Sequence, residues 1–416
     1  MSEIERYLDS KLGEDVDRRG FLKLSASAAG LAALAACGGG TVTPGPSGPT
    51  GAEFKLGIVL PYSNVYAELG SSITNGIQLY LNKVGNQAGN RKITVFKEDE
   101  KVSTDDAVAA TKKLVEQTSV DMIAGYVLSP NAVANRDYLT SNKVPTIIAN
   151  AGANVISRAK KSDFIYRTSF SNWQPTHPMG SYVQDKLGLK NVLLVYANYP
   201  AGAETAQSFR ETYTGKFAAA DVAPPLGYTG DWAVWVSKIT AANPDGIYVF
   251  LSGTDSVGFL NKANELGALK NIKVTGSGFF VEQDVLGSVG DRAPVGAVSG
   301  LHWALTLDTK ENKDFVAAYR KAYNKPPDVF AMDGYDTGRV IVDALNAVKG
   351  DTKDPTKFLA AIGAVSFKSP RGDFKFDAAT HNVINPVYIR ELVKDPQLGY
   401  TNKVVATVAG VADPGK

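Results

Sequence analysis

From Phe54 onward the chain alternates short apolar runs with amphipathic stretches. Residues 54–61 read as a strand closed by Pro61. Residues 66–84 place Ile73, Ile77, Tyr80 and Leu81 at helical spacing. A strand follows at 93–96. Ser103 is placed to cap the next helix, with Asp105 and Asp106 at its positive end and Ala107, Ala110, Thr111, Leu114 and Val115 on one face. Strands at 121–126 and 145–149 flank a helix at 130–140. Residues 191–197 are nearly continuously apolar, as a strand buried on both faces requires. Helix is expected at 201–217, strand at 245–251, helix at 256–266 and strand at 272–275. Alternation at this spacing predicts parallel sheets covered by helices. Two such sets, split near Arg167, predict an α/β chain of two doubly wound lobes.

The residues before Phe54 follow another pattern. Arg18-Arg19 precede an uncharged apolar stretch, residues 24–36 apart from small polar breaks, that ends in Leu34-Ala35-Ala36-Cys37. A twin-arginine region, a short apolar run and small residues before a cut describe an export signal. The run is too short for a bilayer, which needs about 20 residues. Asp17 stands where twin-arginine signals usually carry Ser or Thr. The last four residues resemble a bacterial lipobox. That implies cleavage after residue 36, lipid on Cys37 and attachment to the outer side of a membrane. Residues 37–53, rich in Gly, Pro, Ser and Thr, read as a flexible tether.

Composition narrows the class. Of 416 residues, 380 would remain after the leader is removed, too many for one ordinary core. The chain has 44 Lys/Arg and 42 Asp/Glu. Five and six of these fall in the leader, so the remainder is near +3, which argues against nucleic acid as a partner. Cys37 is the only cysteine, so no intrachain disulfide can form. His177, His302 and His381 lie far apart without ligand spacing, so neither a metal nor a cofactor is expected.

In open parallel sheets, ligands bind beyond the carboxyl ends of the strands. The residues there are Tyr62 and Ser63, Ser129, Asn150-Ala151-Gly152, Tyr199, Ser252-Gly253-Thr254-Asp255 and Gly276-Ser277-Gly278-Phe279, with His302 and Trp303 after a return strand. They are hydroxyls, glycines and aromatics, with no nucleophile paired to a histidine base. A hydrolase needs such a pair, so the set favours a binder over an enzyme. Ser129-Pro130 can start a helix whose free amides grip a carboxylate, or be a plain cap. Asn150-Ala151-Gly152 offers further backbone donors, or a simple turn.

The opening strand Lys55-Leu56-Gly57-Ile58-Val59-Leu60-Pro61 resembles the start of type I periplasmic binding proteins of the leucine/isoleucine/valine-binding family. Further resemblances follow in order. They are Gly70 and Gly76, Asp121 to Ser129, Val144-Pro145, Tyr166-Arg167-Thr168, Pro244-Asp245-Gly246, Glu265-Leu266-Gly267, and Gly334-Tyr335-Asp336 as a helix start. The resemblance implies lobes of residues 54–168 plus 300–384 and 169–299 plus 385–410. It places three hinge crossovers near Arg167, Gly300 and Asn385. It implies Ser129, Asn150 and Gly152 on a ligand carboxylate, with Tyr199, Ser252 and Gly253 lining the second lobe and Phe330 on the ligand's apolar part. Tyr62 and Ser277 complete the candidate site.

Amino-acid binders of this family carry an acid near Ser277 or Gly278 for the ligand's ammonium; here the run is Gly276-Ser277-Gly278-Phe279-Phe280. Glu282, Asp255 or Asp333 are the possible substitutes. Ser369-Pro370-Arg371-Gly372 and Tyr388-Ile389-Arg390 resemble a subgroup of aromatic-acid importers. A carboxylate without an α-amino group therefore stands beside a branched-chain amino acid as the expected ligand. The family implies a monomer that delivers its ligand to an ABC permease with cytoplasmic ATPases. A sensor reporting to a membrane receptor is the alternative use of the same closing lobes.

Overall fold

The computed structural model describes residues 51–416. The leader, Cys37 and all but the last three residues of the expected tether lie outside the described residues. The first sheet comprises β1 (Phe54–Leu60), β2 (Gln87–Ala88), β3 (Arg91–Asp99), β4 (Met122–Gly125), β5 (Thr146–Ile148) and β6 (Ile165–Arg167), in the order β2-β3-β1-β4-β5-β6. Every pairing but that of β2 is parallel, and β1 sits between β3 and β4 with Leu56 opposite Val95 and Met122. All of β1 except Lys55 is buried, which is why its apolar run is unbroken.

The second sheet comprises β7 (Asn191–Tyr196), β8 (Lys216–Phe217), β9 (Gly246–Phe250), β10 (Lys273–Ser277), β11 (Val298–Leu301), β14 (Asn385–Asp395) and β15 (Gly399–Val411). Its order is β15-β14-β11-β10-β9-β7-β8, with β14 and β15 antiparallel. β12 (Ser366–Ser369) and β13 (Gly372–Lys375) form a separate hairpin. The helices are α1 (Ala67–Lys83), α2 (Thr104–Lys112), α3 (Ser129–Ser141), α4 (Trp173–Asp185), α5 (Pro200–Arg210), α6 (Ala233–Ala242), α7 (Gly253–Glu265), α8 (Gln283–Val289), α9 (Lys310–Tyr323), α10 (Val329–Ala347) and α11 (Pro355–Gly363). The chain passes between the sheets three times, after β6, after β11 and before β14. Gly300 is a strand residue opposite Ser277, so the second passage begins only after Leu301.

Two expected elements differ. The helix expected over 201–217 ends at Arg210; Lys216–Phe217 instead extends the sheet edge, the Lys216 amide donating to Lys190 O at 2.8 Å. Gly334 does not start a helix. α10 begins at Val329, where Asp328 Oδ1 accepts the Ala331 amide at 2.8 Å. Gly334 lies inside it because α1 crosses there. A Cβ on Gly334 would sit 2.1 Å from Ile73 O, and one on Gly76 1.9 Å from Ala331 O. The two glycines let the helix backbones touch, at the expense of intrinsic helix propensity.

Three buried arginines stitch the passages. Arg167 donates to Asn382 Oδ1, Ala151 O, Ala153 O and Ser157 Oγ. It meets carbonyls and hydroxyls rather than a carboxylate, and burial pulls its pKa down to about 10. Arg371 pairs with Asp333 and Asp336, each at 2.9 Å, and donates to Ser169 O and Asn385 Oδ1. Arg390 pairs with Glu282 at 2.8 Å and donates to Trp303 O and Gly278 O. Each guanidinium thus ties a passage to a lobe. Among the described residues no helix is long and apolar enough to cross a membrane.

Candidate ligand site

The crevice lies where the carboxyl ends of both sheets face each other. Val127 and Ser129 follow β4, Asn150 and Gly152 follow β5, Tyr199 and Ala201 follow β7, Ser252 follows β9, and Phe279 follows β10. With Tyr66, Leu69, Phe170, Asn172, Phe250 and Phe330 they line a narrow crevice whose free cavity volume is about 30 Å³. The lobes are shut over it. Val65 O sits 2.5 Å from where a Gly253 Cβ would stand, Glu282 Oε1 accepts the Val329 amide at 3.1 Å, and both Glu204 oxygens accept the Asn154 amide at 2.8 and 2.9 Å. A larger groove, lined by Lys270, Lys273, Arg292 and apolar neighbours, opens at the amino ends of β10 and β11, where this fold class does not place its ligand.

The walls are aromatic. Phe279 lies at 5.8 Å and 18° from Phe330, at 4.9 Å from Phe170 and edge-on to Phe250 at 6.3 Å. Tyr199 stacks on Phe250 at 6.4 Å. His302 stacks behind Phe170 at 5.3 Å, its Nε2 on Asp333 at 3.0 Å. These rings pack on one another and give the slot between the lobes an apolar wall.

The polar groups are neutral. Ser129 Oγ accepts the Ala153 amide at 3.0 Å, so its own proton is free to donate. Asn150 Oδ1 is buried without a partner. The Gly152 amide finds no protein acceptor among the described residues. A Cβ on Gly152 would meet Asn172 Oδ1 at 2.3 Å and the Phe170 ring at 2.5 Å, so only glycine brings this backbone into the crevice. The Tyr66 hydroxyl faces Ser252 and Tyr199, and burial raises its pKa to about 12. None of the lining residues is Asp, Glu, Lys, Arg or His.

Three expected residues lie elsewhere. Tyr62 bonds Thr74 Oγ1 at 2.8 Å and is outside the lining. Gly253 starts α7 at φ +55° and packs on Val65 at the rim. Ser277 ends β10, fully buried and outside the lining. The three acids considered for an ammonium are committed away from the slot: Glu282 to Arg390, Asp333 to Arg371 and His302, and Asp255 to the amides of Gly227 and Tyr228. Sequence reasoning missed Tyr66, Leu69, Val127, Phe170, Asn172, Ala201 and Phe250.

Ser129 does not cap α3 with its side chain. Glu100, at the end of β3, instead holds the two residues that lead into α3: its Oε2 accepts the Val127 amide at 2.7 Å, and its Oε1 accepts the Leu128 amide at 2.9 Å and Asn131 Nδ2 at 3.1 Å. Glu100 is fully buried. Burial pushes its carboxyl up to about 8 against the pull of these donors, and Asp99 adds to the rise.

The family model described as periplasmic binding protein matches residues 53–397. The chain belongs to the periplasmic binding protein family. It is 29% identical over 369 residues to a Leu/Ile/Val-binding protein homolog of Brucella melitensis, covering 87% of this chain and 93% of that one. It is similar to a Rhodopseudomonas palustris solute-binding protein of an ABC transporter in complex with benzoate, at 34% identity and TM-score 0.79, over 86% of this chain and 97% of that one. Another R. palustris solute-binding protein, in complex with 3,4-dihydroxybenzoic acid, is 31% identical at TM-score 0.83, over 87% and 99%. This periplasmic solute-binding protein therefore has the type I fold, with two lobes built on parallel-dominated sheets.

Proposed function

We propose that this protein is the lipid-anchored solute receptor of an ABC importer for small aromatic carboxylates. The observation that carries the reading is a slot walled by Phe170, Phe250, Phe279 and Phe330 whose lining holds neutral donors and no acid. A buried ammonium without a partner costs several kcal/mol, so an α-amino acid is disfavoured. A carboxylate is better served. The Ser129 hydroxyl, the Gly152 amide and the amino end of α3 are the donors assigned to it, and a helix amino terminus favours an anion without any cationic side chain. The ring packs against the phenylalanine wall, with Tyr66, Tyr199 and Ser252 also in the lining. The complexes of the two R. palustris relatives with benzoate and 3,4-dihydroxybenzoic acid support the same ligand class. The ligand then passes to a membrane permease driven by ATPases.

A thermal-shift and calorimetric panel on the chain without residues 1–36 tests this. Benzoate and 3,4-dihydroxybenzoate at about 100 times their Kd will add about 2.7 kcal/mol to stability. Leucine and valine at the same concentrations will add nothing measurable. A shift with leucine and none with the aromatic acids overturns the reading.

The anchor has its own check. Leu34-Ala35-Ala36-Cys37 supports lipid on Cys37 and an exported location. Radiolabelled palmitate will label the wild type and not Cys37→Ala; equal labelling of both refutes the assignment.

A further inference from the structure

The loop after β5 carries Gly152 into the crevice, and a carboxylate from the other lobe holds it there. Of its successive amides, that of Gly152 has no protein acceptor among the described residues, and that of Ala153 donates to Ser129 Oγ at 3.0 Å. The next, that of Asn154, donates to both Glu204 oxygens at 2.9 and 2.8 Å. Glu204 lies on α5, which follows β7 in the second lobe. Its Oε2 also accepts Asn172 Nδ2 at 2.9 Å, from the first passage. Asn172 in turn donates its amide to Gly152 O at 2.6 Å and lines the slot with it. One side chain thus joins the second lobe, the first passage and the ligand loop. Four residues beyond Asn154, Arg158 pairs with Asp413 in the tail after β15, Nε to Oδ1 at 3.0 Å. The far end of the loop is therefore tied as well, and Glu204 acts on the part nearest Gly152.

Asn154 and Asn172 are 6% and 2% exposed, while Glu204 is half-buried and outside the lining. Closing the lobes takes both donors out of water, so each needs an acceptor in the closed protein. Glu204 serves both, with the added strength of a charge. Its bonded partners are a backbone amide and a carboxamide, with no guanidinium or ammonium among them. Water replaces such partners at little net cost when the lobes part. Glu282, which also reaches across, is fully buried on Arg390 and lacks that freedom. We propose that Glu204 is a positioning residue that latches the lobes shut over the ligand and so sets how fast the ligand leaves. It acts through Asn154 and Asn172, fixing the Gly152 loop against α5. Release requires the lobes to part by a hinge motion, and parting breaks the bonds to Glu204.

The proposal rests on the carboxylate reading above for its probe, benzoate, and has a second readout that needs no ligand. Stopped-flow displacement of benzoate from the protein without residues 1–36 measures release. Glu204→Ala will release benzoate at least about tenfold faster, as the loss of a charged acceptor implies, with the association rate changed less than about threefold. Glu204→Gln keeps one acceptor and will fall between the two. Alanine suits a helix, so α5 is kept; should Glu204→Ala fold poorly, Glu204→Gln carries the test. Glu211→Ala is the control. It removes the same charge at the end of the same helix, where Glu211 meets Trp173 and His177 of α4, and will leave release within about twofold. Small-angle scattering on the ligand-free protein is the second readout. Glu204→Ala will have a larger radius of gyration than the wild type, because more of it stands open. Release accelerated less than about threefold in Glu204→Ala overturns the proposal, and so does equal acceleration in Glu211→Ala. If neither benzoate nor 3,4-dihydroxybenzoate binds, the ligand class falls and the radius decides alone: a larger one upholds the latch, and equal radii overturn it.

Discussion

Arg371→Met will lower the stability of the protein by about 3–5 kcal/mol at pH 7, because it strands two buried carboxylates at once. Arg371 is fully buried between Asp333 and Asp336, each paired at 2.9 Å. Asp333 Oδ2 and Asp336 Oδ1 already lack partners, and only His302 on Asp333 and the Ser369 hydroxyl on Asp336 would remain. Methionine fills much of the volume but donates nothing. Its net cost therefore differs from that of a full apolar replacement, which is often neutral. Against a total stability of about 5–15 kcal/mol the loss is a large share. Burial raises the Asp336 pKa, the Arg371 charge pulls it back, and removing that charge lets it rise further. A raised carboxylate is stabilising when protonated, so the variant will regain stability as pH falls from 7 toward 5. Adding Asp333→Asn and Asp336→Asn will recover part of the loss at pH 7. Urea unfolding at pH 7 and pH 5 measures both effects. A loss below about 1 kcal/mol at pH 7 would show that the cluster is solvated and the pairing weak. Because Arg371 also donates to Ser169 O and Asn385 Oδ1, on the first and third passages, ligand affinity will fall with stability.

The fold was most legible where burial is simplest. β1 and β7 lie in sheet interiors covered on both faces, and their unbroken apolar runs gave their positions to within a residue or two. α4 was not legible, because Pro175 and Pro178 interrupt the pattern that announces a helix. α10 is buried at fifteen of nineteen positions, so it has no polar face to set a period, and its interior Gly334 reads as a boundary. The site divided along a similar line. Ser129, Asn150, Gly152, Tyr199 and Ser252 follow strand ends, and the carboxyl-end rule brings them to the crevice. Phe170 and Phe250 sit in a passage and a strand, where an aromatic residue reads as core. Only the meeting of two lobes turns them into a wall. Glu100 carries no sequence signal that separates it from Asp99 beside it. Asp99 is partly exposed and Glu100 fully buried, and the turn at the end of β3 makes that difference.

Phe279→Glu will abolish aromatic-acid binding. Phe279 is 4% exposed and touches Phe170, Phe250 and Phe330, so a carboxylate here points into the slot walls rather than into water. It also stands within two residues of Ser277 and Gly278, where amino-acid binders resembling this chain carry their acid. Like charges held together in a binding site cost several kcal/mol, and each 1.4 kcal/mol is tenfold, so benzoate affinity will fall by at least about 100-fold. Phe279→Leu separates charge from shape. It forfeits aromatic stacking of about 0.5–1.5 kcal/mol per pair but adds no charge, and will lose about tenfold. The glutamate also supplies what the native lining lacks, a partner for an ammonium, so leucine will bind Phe279→Glu more tightly than it binds the wild type. Calorimetry with benzoate and leucine on the three proteins measures the exchange. If Phe279→Glu holds benzoate within about tenfold of the wild type, the ligand carboxylate and the ring do not occupy the slot as assigned here. If it loses benzoate no more than Phe279→Leu does, the neutrality of the lining is not what selects the ligand.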